Sequence, residues 1–313
     1  MSINKFSLMV HGGGGLITDT KEYEVSIKAI LQMGNRLLLD GKSALDAVEA
    51  CVIMLEDDPI FNAGVGSVLN EKGVVEMDAS IMDGQNLSAG AVAAISNIKN
   101  PVSLARLVME KSNHVFLLGM GAMEFAKKWN VATENDEYFI TKARRSQWQE
   151  AQKENVVLLD HSTILSDKKI NKNKLGTVGA VALDTSGNMA AATSTGGLVN
   201  KSFGRIGDSP IVGSGVFADN DTCAVSCMGV GEHMIRTNLP KMISDFMLMK
   251  NLNVLEASSL AIKYFSEKIN GVGGLIAVGK DGQFTCEFTT PQMIYGFTTE
   301  KYEPEAKFDK LNN

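Results

Sequence analysis

The stretch Gly176-Thr177-Val178-Gly179-Ala180-Val181-Ala182-Leu183 decides how this chain is read. A long polar segment, about 127–174, ends just before it, and a strongly apolar strand begins inside it. The polar segment holds clustered charge at 142–145 (Lys-Ala-Arg-Arg) and 168–174 (Lys-Lys-Ile-Asn-Lys-Asn-Lys). A second strand end, Thr193-Ser194-Thr195-Gly196-Gly197, lies a hairpin's length downstream. A linker in front of a strand-initial threonine points to a latent amino terminus. If the Gly176–Thr177 peptide bond breaks, Thr177 gains a free α-amine beside its own hydroxyl. An α-amine titrates at about 7.7–8.0. It can therefore take the hydroxyl proton as general base, one of the ways a threonine becomes a nucleophile. Taken alone, a threonine at a strand start is structural, because β-branched residues favour strands. The surroundings of Thr177 give it weight.

Composition narrows the classes. A chain of 313 residues accommodates two ordinary domains or one large α/β domain. A net charge of −6, with no basic stripe outside the polar segment, argues against a nucleic-acid partner. No run approaches the roughly 18 apolar residues of a membrane span, and the first residues lack a secretory apolar core. Cys51, Cys223, Cys227 and Cys286 form no paired framework, and Cys223 and Cys227 lack a second pair to complete a zinc site. They read as reduced thiols of a cytoplasmic protein. The 30 glycines fall in tight clusters, as where ligand or other backbone approaches the main chain closely.

Along the chain, residues 6–10 read as a strand ending at His11-Gly12-Gly13-Gly14-Gly15. Residues 21–39 carry apolar positions at Val25, Ile27, Ile30, Leu31 and Leu37 to Leu39, and Ser43 caps a second helix with Leu45, Val48, Ala50, Val52 and Met54 as its stripe. Two short strands are expected around 74–82, and helices from Pro101 and over 119–129, before a flexible linker from about 130 to 176. The second half predicts a hairpin over 177–184 and 189–195, and a strand pair over 211–217 and 222–228. Helices follow over 231–250, kinked at Pro240, and over 254–269. A closing pair is expected at 274–278 and 284–289. Strict βαβ alternation is lacking, so the expected class is α+β, with stacked antiparallel sheets and helical outer layers.

Several chemistries fall away. The glycine run after the first strand lacks dinucleotide-binding spacing, no Walker motif is present, and Gly213-Ser214-Gly215 is not a nucleophile elbow. The segment Gly204-Arg205-Ile206-Gly207-Asp208-Ser209 says more. Arg205 offers a planar donor fork suited to a carboxylate, and Asp208 can accept from an ammonium. One charge of each sign on a short loop matches a free α-amino acid head, although an ordinary surface ion pair reads the same way.

With Leu55-Glu56-Asp57-Asp58-Pro59-Ile60-Phe61-Asn62-Ala63-Gly64-Val65-Gly66-Ser67, Met77-Asp78-Ala79 and Ala89-Gly90-Ala91-Val92, these blocks resemble the plant-type L-asparaginase and isoaspartyl peptidase family of N-terminal nucleophile hydrolases. The resemblance runs in order over nearly the whole chain. It implies a single four-layer αββα sandwich over 1–313, cut by its own chemistry into an α chain, 1–176, and a β chain, 177–313. It implies that two such pairs associate and that L-asparagine and β-aspartyl dipeptides are substrates. By matching position, Thr177 is the nucleophile, Thr195 its hydrogen-bonding partner and Gly229 an oxyanion-hole amide. Arg205, Asp208 and Gly231 hold the substrate. Gly176, Asn62 and the loop His11, Gly12 and Gly13 serve self-cleavage. Leu55, Glu56, Phe61 and Ala63 form a loop that binds structural sodium through main-chain carbonyls. No other cofactor is implied, because nucleophile and base share one residue.

One position departs. The family carries a threonine where this chain has Met228, between Cys227 and Gly229. A methionine cannot donate the hydrogen bond that threonine gives to the oxyanion hole, and loss of one such donor costs about 10²–10³ in rate. Two readings stay open: an active, self-processing hydrolase, or an uncleaved or feeble homologue with a binding or structural role.

Overall fold

The computed structural model describes residues 6–15, 20–157, 163–164, 170–171 and 176–310. The chain builds two sheets. The larger has the order β14-β13-β1-β7-β8-β2-β3-β4, and the smaller β12-β11-β10-β9. In the large sheet, β1 (Ser7–Gly14), β2 (Met77–Asp83), β3 (Ala89–Ile95), β7 (Val178–Leu183), β8 (Met189–Thr195), β13 (Met293–Thr299) and β14 (Glu305–Lys307) are antiparallel to their neighbours. The short edge strand β4 (Phe116–Leu118) alone runs parallel to its partner β3. The small sheet holds β9 (Val216–Ala218), β10 (Cys223–Gly229), β11 (Gly273–Gly279) and β12 (Phe284–Phe288), all antiparallel. A two-residue ladder, β5 (Thr163–Ile164) with β6 (Ile170–Asn171), stands apart.

Three apolar layers make four structural ones. Helices α1 (Lys21–Leu39), α2 (Ala44–Glu56) and α3 (Pro101–Lys111) bury Ile27, Leu31, Val48, Val52 and Leu104 against one face of the large sheet. The faces of the two sheets meet through Met9, Val181, Ala191, Val216, Met228 and Ile276. Helices α8 (Leu239–Lys250) and α9 (Val254–Ile269) cover the far face of the small sheet with Ile243, Ala257, Ala261 and Phe265. This is the αββα order, and its strands are buried on both faces, which explains why β7 reads as a continuous apolar run rather than an alternating one.

Local chemistry accounts for most element ends. Ser43 accepts from the Asp46 amide at the start of α2. Asn253 and Glu256 form a reciprocal capping box on α9. Four expectations need correction. The helix expected over 231–250 is two helices, α7 (Gly231–Thr237) and α8, divided at Asn238 with φ +49°. Pro240 sits in the first turn of α8, where its missing N–H has no helical partner to lose, so it starts a helix rather than kinking one. Residues 211–215 turn before β9 instead of extending it. Two strands that add to the expected ones, β13 and the edge strand β14, lie beyond Thr289.

The fourth correction concerns the expected linker. Residues 130–157 are not loose chain: α5 (Asp136–Phe139) and α6 (Lys142–Glu154) occupy them, capped by the side chains of Asn135 and Thr141. Inside α6, Arg144 is buried and its Nε donates to the Gly66 carbonyl. The charge cluster at 142–145 is therefore partly an anchor. The cluster at 168–174 lies largely outside the described residues.

Candidate active site

Thr177 enters the site because β7 begins immediately after it. The β7–β8 ladder pairs Val178 with Ser194, which brings the preceding Thr177 beside Thr195. The Thr177 hydroxyl donates to Thr195 Oγ1 at 3.2 Å. The Gly197 amide donates to the same oxygen at 3.0 Å. Asn62 braces this turn from behind, its amide donating to the Gly197 carbonyl at 2.8 Å and its carbonyl accepting from Val68. Both threonines are almost wholly enclosed.

A narrow cleft opens on this pair. Gly176, Thr177, Thr195, Arg205, Asp208, Gly229 and Gly231 all line it. The sequence reading thus drew these residues from four separate stretches. Gly197, Leu198, Gly207 and Ser209 also line it and were not singled out. Ser209 is legible in retrospect, since it adjoins Asp208 on the same loop.

The two charges on that loop do not pair with each other. Arg205 makes a bidentate ion pair with Glu232, Nε to Oε1 at 2.9 Å and Nη2 to Oε2 at 2.8 Å. Hydrogen bonding to Arg205 holds the Glu232 carboxyl below its usual range. One edge of the guanidinium is thus fixed and the Nη1 end is left for a ligand. Asp208 is 3 % exposed, and its Oδ2 has no hydrogen-bond partner. Burial pushes its pKa up to about 7, the opposite of a carboxylate sharing an ion pair. A ligand ammonium would supply what this carboxyl lacks. Gly231 lets the parts fit, since a Cβ there would lie 2.9 Å from the Asp208 amide and 3.0 Å from Arg205 Nη2.

The direction of the Gly229 amide follows from strand parity. The Val230 amide donates to Val272 across the β10–β11 ladder, whereas the Cys227 amide points the other way, to Gly215. Gly229 shares the parity of Cys227, and the β9 ladder stops at Ser226. The Gly229 N–H therefore points past the end of β9, toward the cleft that Gly229 lines. Its φ of +154° suits glycine alone.

The Met228 side chain does not line the cleft. It is fully buried between the sheets, and its methyl would meet a Cβ on Gly14 at 2.4 Å. Ser226, on the same face, does not line the cleft. Its hydroxyl is 2.9 Å from His11 Nε2 and 2.8 Å from Thr193 Oγ1. His11 lies wholly inside the protein, and burial pulls its pKa down to about 3, so the ring is neutral at physiological pH. Its Nδ1 has no hydrogen bond of ordinary geometry, although the Thr177 backbone is close enough to oppose the burial effect. His11 thus sits behind Thr177. Contacts of His11, Gly12, Gly13 and Asn62 with the residues just before Gly176 lie outside the described residues.

The loop after α2 was assigned to sodium. A Cβ on Gly64 would fall 2.2 Å from the Glu56 carbonyl oxygen, and one on Gly66 would fall 2.5 and 2.8 Å from those of Pro59 and Phe61. Main-chain carbonyl oxygens thus pass close to Gly64 and Gly66, and neutral hard oxygens suit a hard cation. The Glu56 side chain is a separate matter: burial raises its pKa to about 8. Among the described residues, no group of three or more His, Cys, Asp or Glu side chains forms a metal site.

A strand-initial threonine hydroxyl lining one cleft with a charge of each sign fits an amidohydrolase of the αββα class. The chain belongs to the asparaginase family, whose sequence profile matches residues 4–307. It is 46% identical over 290 residues to the isoaspartyl peptidase/L-asparaginase of Xenopus laevis, covering 92% of this chain and 90% of that protein. It is 46% identical to the Homo sapiens isoaspartyl peptidase/L-asparaginase, covering 91% of each. It is 43% identical over 298 residues to the isoaspartyl peptidase of Escherichia coli, covering 93% and 92%.

Proposed function

We propose that this chain is a self-processing amidohydrolase that converts L-asparagine to L-aspartate and ammonia and hydrolyses β-aspartyl dipeptides. The observation that carries this reading is the cleft itself, where the Thr177 hydroxyl, the free end of Arg205 and the unpartnered Asp208 carboxyl converge. Relatives named as isoaspartyl peptidases and L-asparaginases favour it over an uncleaved binding homologue.

In the intact chain, Thr177 Oγ1 attacks the Gly176 carbonyl carbon while its proton is relayed through the Thr195 hydroxyl, the acceptor already in place, to the departing Thr177 nitrogen. The carbon–nitrogen bond breaks, the Thr177 nitrogen leaves as an amine, and Gly176 is held as an ester. Water then cleaves the ester, leaving a Gly176 carboxylate and a free Thr177. Gly176 itself lines the cleft, so its departure makes room for a substrate. In the mature enzyme the α-amine takes the hydroxyl proton. Arg205 Nη1 receives the substrate α-carboxylate and Asp208 its ammonium, which aims the side-chain amide at Thr177 Oγ1. The Gly229 amide steadies the oxyanion. Ammonia or an amino acid leaves, and water releases L-aspartate.

The carbonyl groups after α2 would hold a sodium ion, which would brace the loop that ends at Asn62. Two αβ units associate in this reading. It is supported by the exposed apolar run Val115, Phe116, Leu118 and Met120 around edge strand β4, which sedimentation at increasing concentration tests. No helix among the described residues is long and apolar enough to cross a membrane. All four cysteines are free thiols, as in a cytoplasmic protein.

A substrate panel tests the assignment. Processed protein should release L-aspartate from L-asparagine and from β-aspartyl dipeptides and leave α-aspartyl dipeptides intact, because only the former present a free α-amino acid head to Arg205 and Asp208. Equal cleavage of α- and β-linked peptides would exclude the proposed pocket.

A further inference from the structure

Lys201 is 1 % exposed, an unusual place for a lysine. Nothing in the reaction outlined above uses it. Its Nζ donates to the Glu76 carbonyl at 2.9 Å. Its stem closes the space above Gly197, where a Cβ would lie 2.8 Å from Nζ and 2.9 Å from Cδ. Gly197 is the residue whose amide holds Thr195 Oγ1, and that oxygen holds the nucleophile.

The surroundings make Lys201 more than a filler. Asp78 stands directly opposite Thr195 across the β2–β8 ladder, so Asp78, Thr195 and Thr177 lie in one row. Asp78 is fully buried: Oδ1 accepts from the Ala94 amide and Oδ2 has no hydrogen-bond partner. Lys201 is the strongest opposite charge acting on Asp78, and Asp78 the strongest acting on Lys201. Burial nevertheless lowers the lysine pKa and raises that of the aspartate. Glu76 faces both ways. Its carbonyl takes Lys201, while its carboxylate accepts from the Gly204 amide, at the start of the turn carrying Arg205.

We propose that Lys201 is a positioning residue for the Thr177 hydroxyl: anchored on Glu76 and balanced by Asp78, it pins the Gly196–Gly197 turn so that Thr195 stays the acceptor of the nucleophile's proton. The proposal rests on the threonine-nucleophile reading. Its rival is that Lys201 only neutralises a buried carboxylate.

Removing both charges separates the two. Lys201→Met alone would strand Asp78 as an unpaired buried charge and weaken the fold. The double variant Lys201→Met/Asp78→Asn avoids this. If Lys201 only neutralises Asp78, the double variant works like wild type. If it positions the turn, kcat for L-asparagine falls about 10- to 100-fold, the scale of a misplaced reacting group. Self-cleavage slows in step. KM changes little, because the Glu76 carboxylate still holds Gly204. A second variant, Lys201→Arg, keeps the charge beside Asp78, but its planar head cannot sit where Nζ sits over Gly197, so kcat falls there too. Thermal melts establish that each variant is folded. Either variant, folded and with wild-type kcat, overturns the proposal, as does a loss confined to KM. A wild type that never cleaves itself or hydrolyses L-asparagine fails the function reading instead.

Discussion

Asp208 holds a carboxyl oxygen without a partner, and burial raises its pKa to about 7, from 3.8. The sign of its pH effect follows. Below about pH 4 it is protonated in folded and unfolded chains alike. Between about pH 4 and 7 the unfolded chain releases the proton while the folded one keeps it, so stability falls as pH rises, and the fall ends once the folded group ionises. Asp208→Asn should therefore lose less stability than wild type between pH 5 and 7.5 in denaturant titrations. Equal losses would show that Asp208 is not the group responsible. The substrate ammonium needs the ionised form, so KM should fall as pH rises toward 7. Met228 belongs to this scale as well. Its side chain fills space between the sheets against Gly14, so Met228→Thr should cost roughly 2 kcal/mol or more. The returned hydroxyl should raise kcat by about 10- to 1000-fold with little change in KM, because the donor acts on charge that develops only in the transition state. A folded Met228→Thr enzyme no faster than wild type would mean that Gly229 suffices.

At the scale of elements, the two sheets come close together where β7 crosses β10. A Cβ on Gly179 would lie 2.0 Å from Ser226 Oγ and 2.6 Å from His11 Nε2. Gly179→Ala should therefore push β10 and β1 away from β7, lowering stability by about 1–3 kcal/mol and slowing self-cleavage. An unchanged melting temperature would refute this close approach. The same crossing shows what could be read from the chain. β7 was legible because a strand buried on both faces is a continuous apolar run, and the α2 start because Ser43 is a cap. The exact helix faces were not. Val25 was expected inside and is 72 % exposed, while Cys51 and Leu55 complete the buried stripe of α2. The helix α6 hid in a charged stretch because its anchor is a buried arginine on a main-chain carbonyl, which no apolar periodicity reports. Thr177, Thr195, Arg205 and Asp208 were legible from their motifs. Glu232 and Lys201 were not, because their partners lie 27 and 125 residues away in sequence.

For the whole molecule, the proposed function has one consequence above the others: the fold holds the Gly176–Thr177 peptide bond beside the Thr177 hydroxyl that would cut it. Two sheets, two outer helical layers and the Asn62 brace fix Thr195 beside Thr177 before any substrate arrives. Gly176 lines the same cleft as Gly229. The account therefore stands on cleavage at that single bond. Purified full-length protein, incubated at neutral pH and followed by intact-mass spectrometry, should convert to two fragments, the second beginning at Thr177. Thr177→Ala protein should remain whole. A wild-type protein that is folded by circular dichroism and still keeps its full-length mass after prolonged incubation, or that is cut at another bond, would contradict the account.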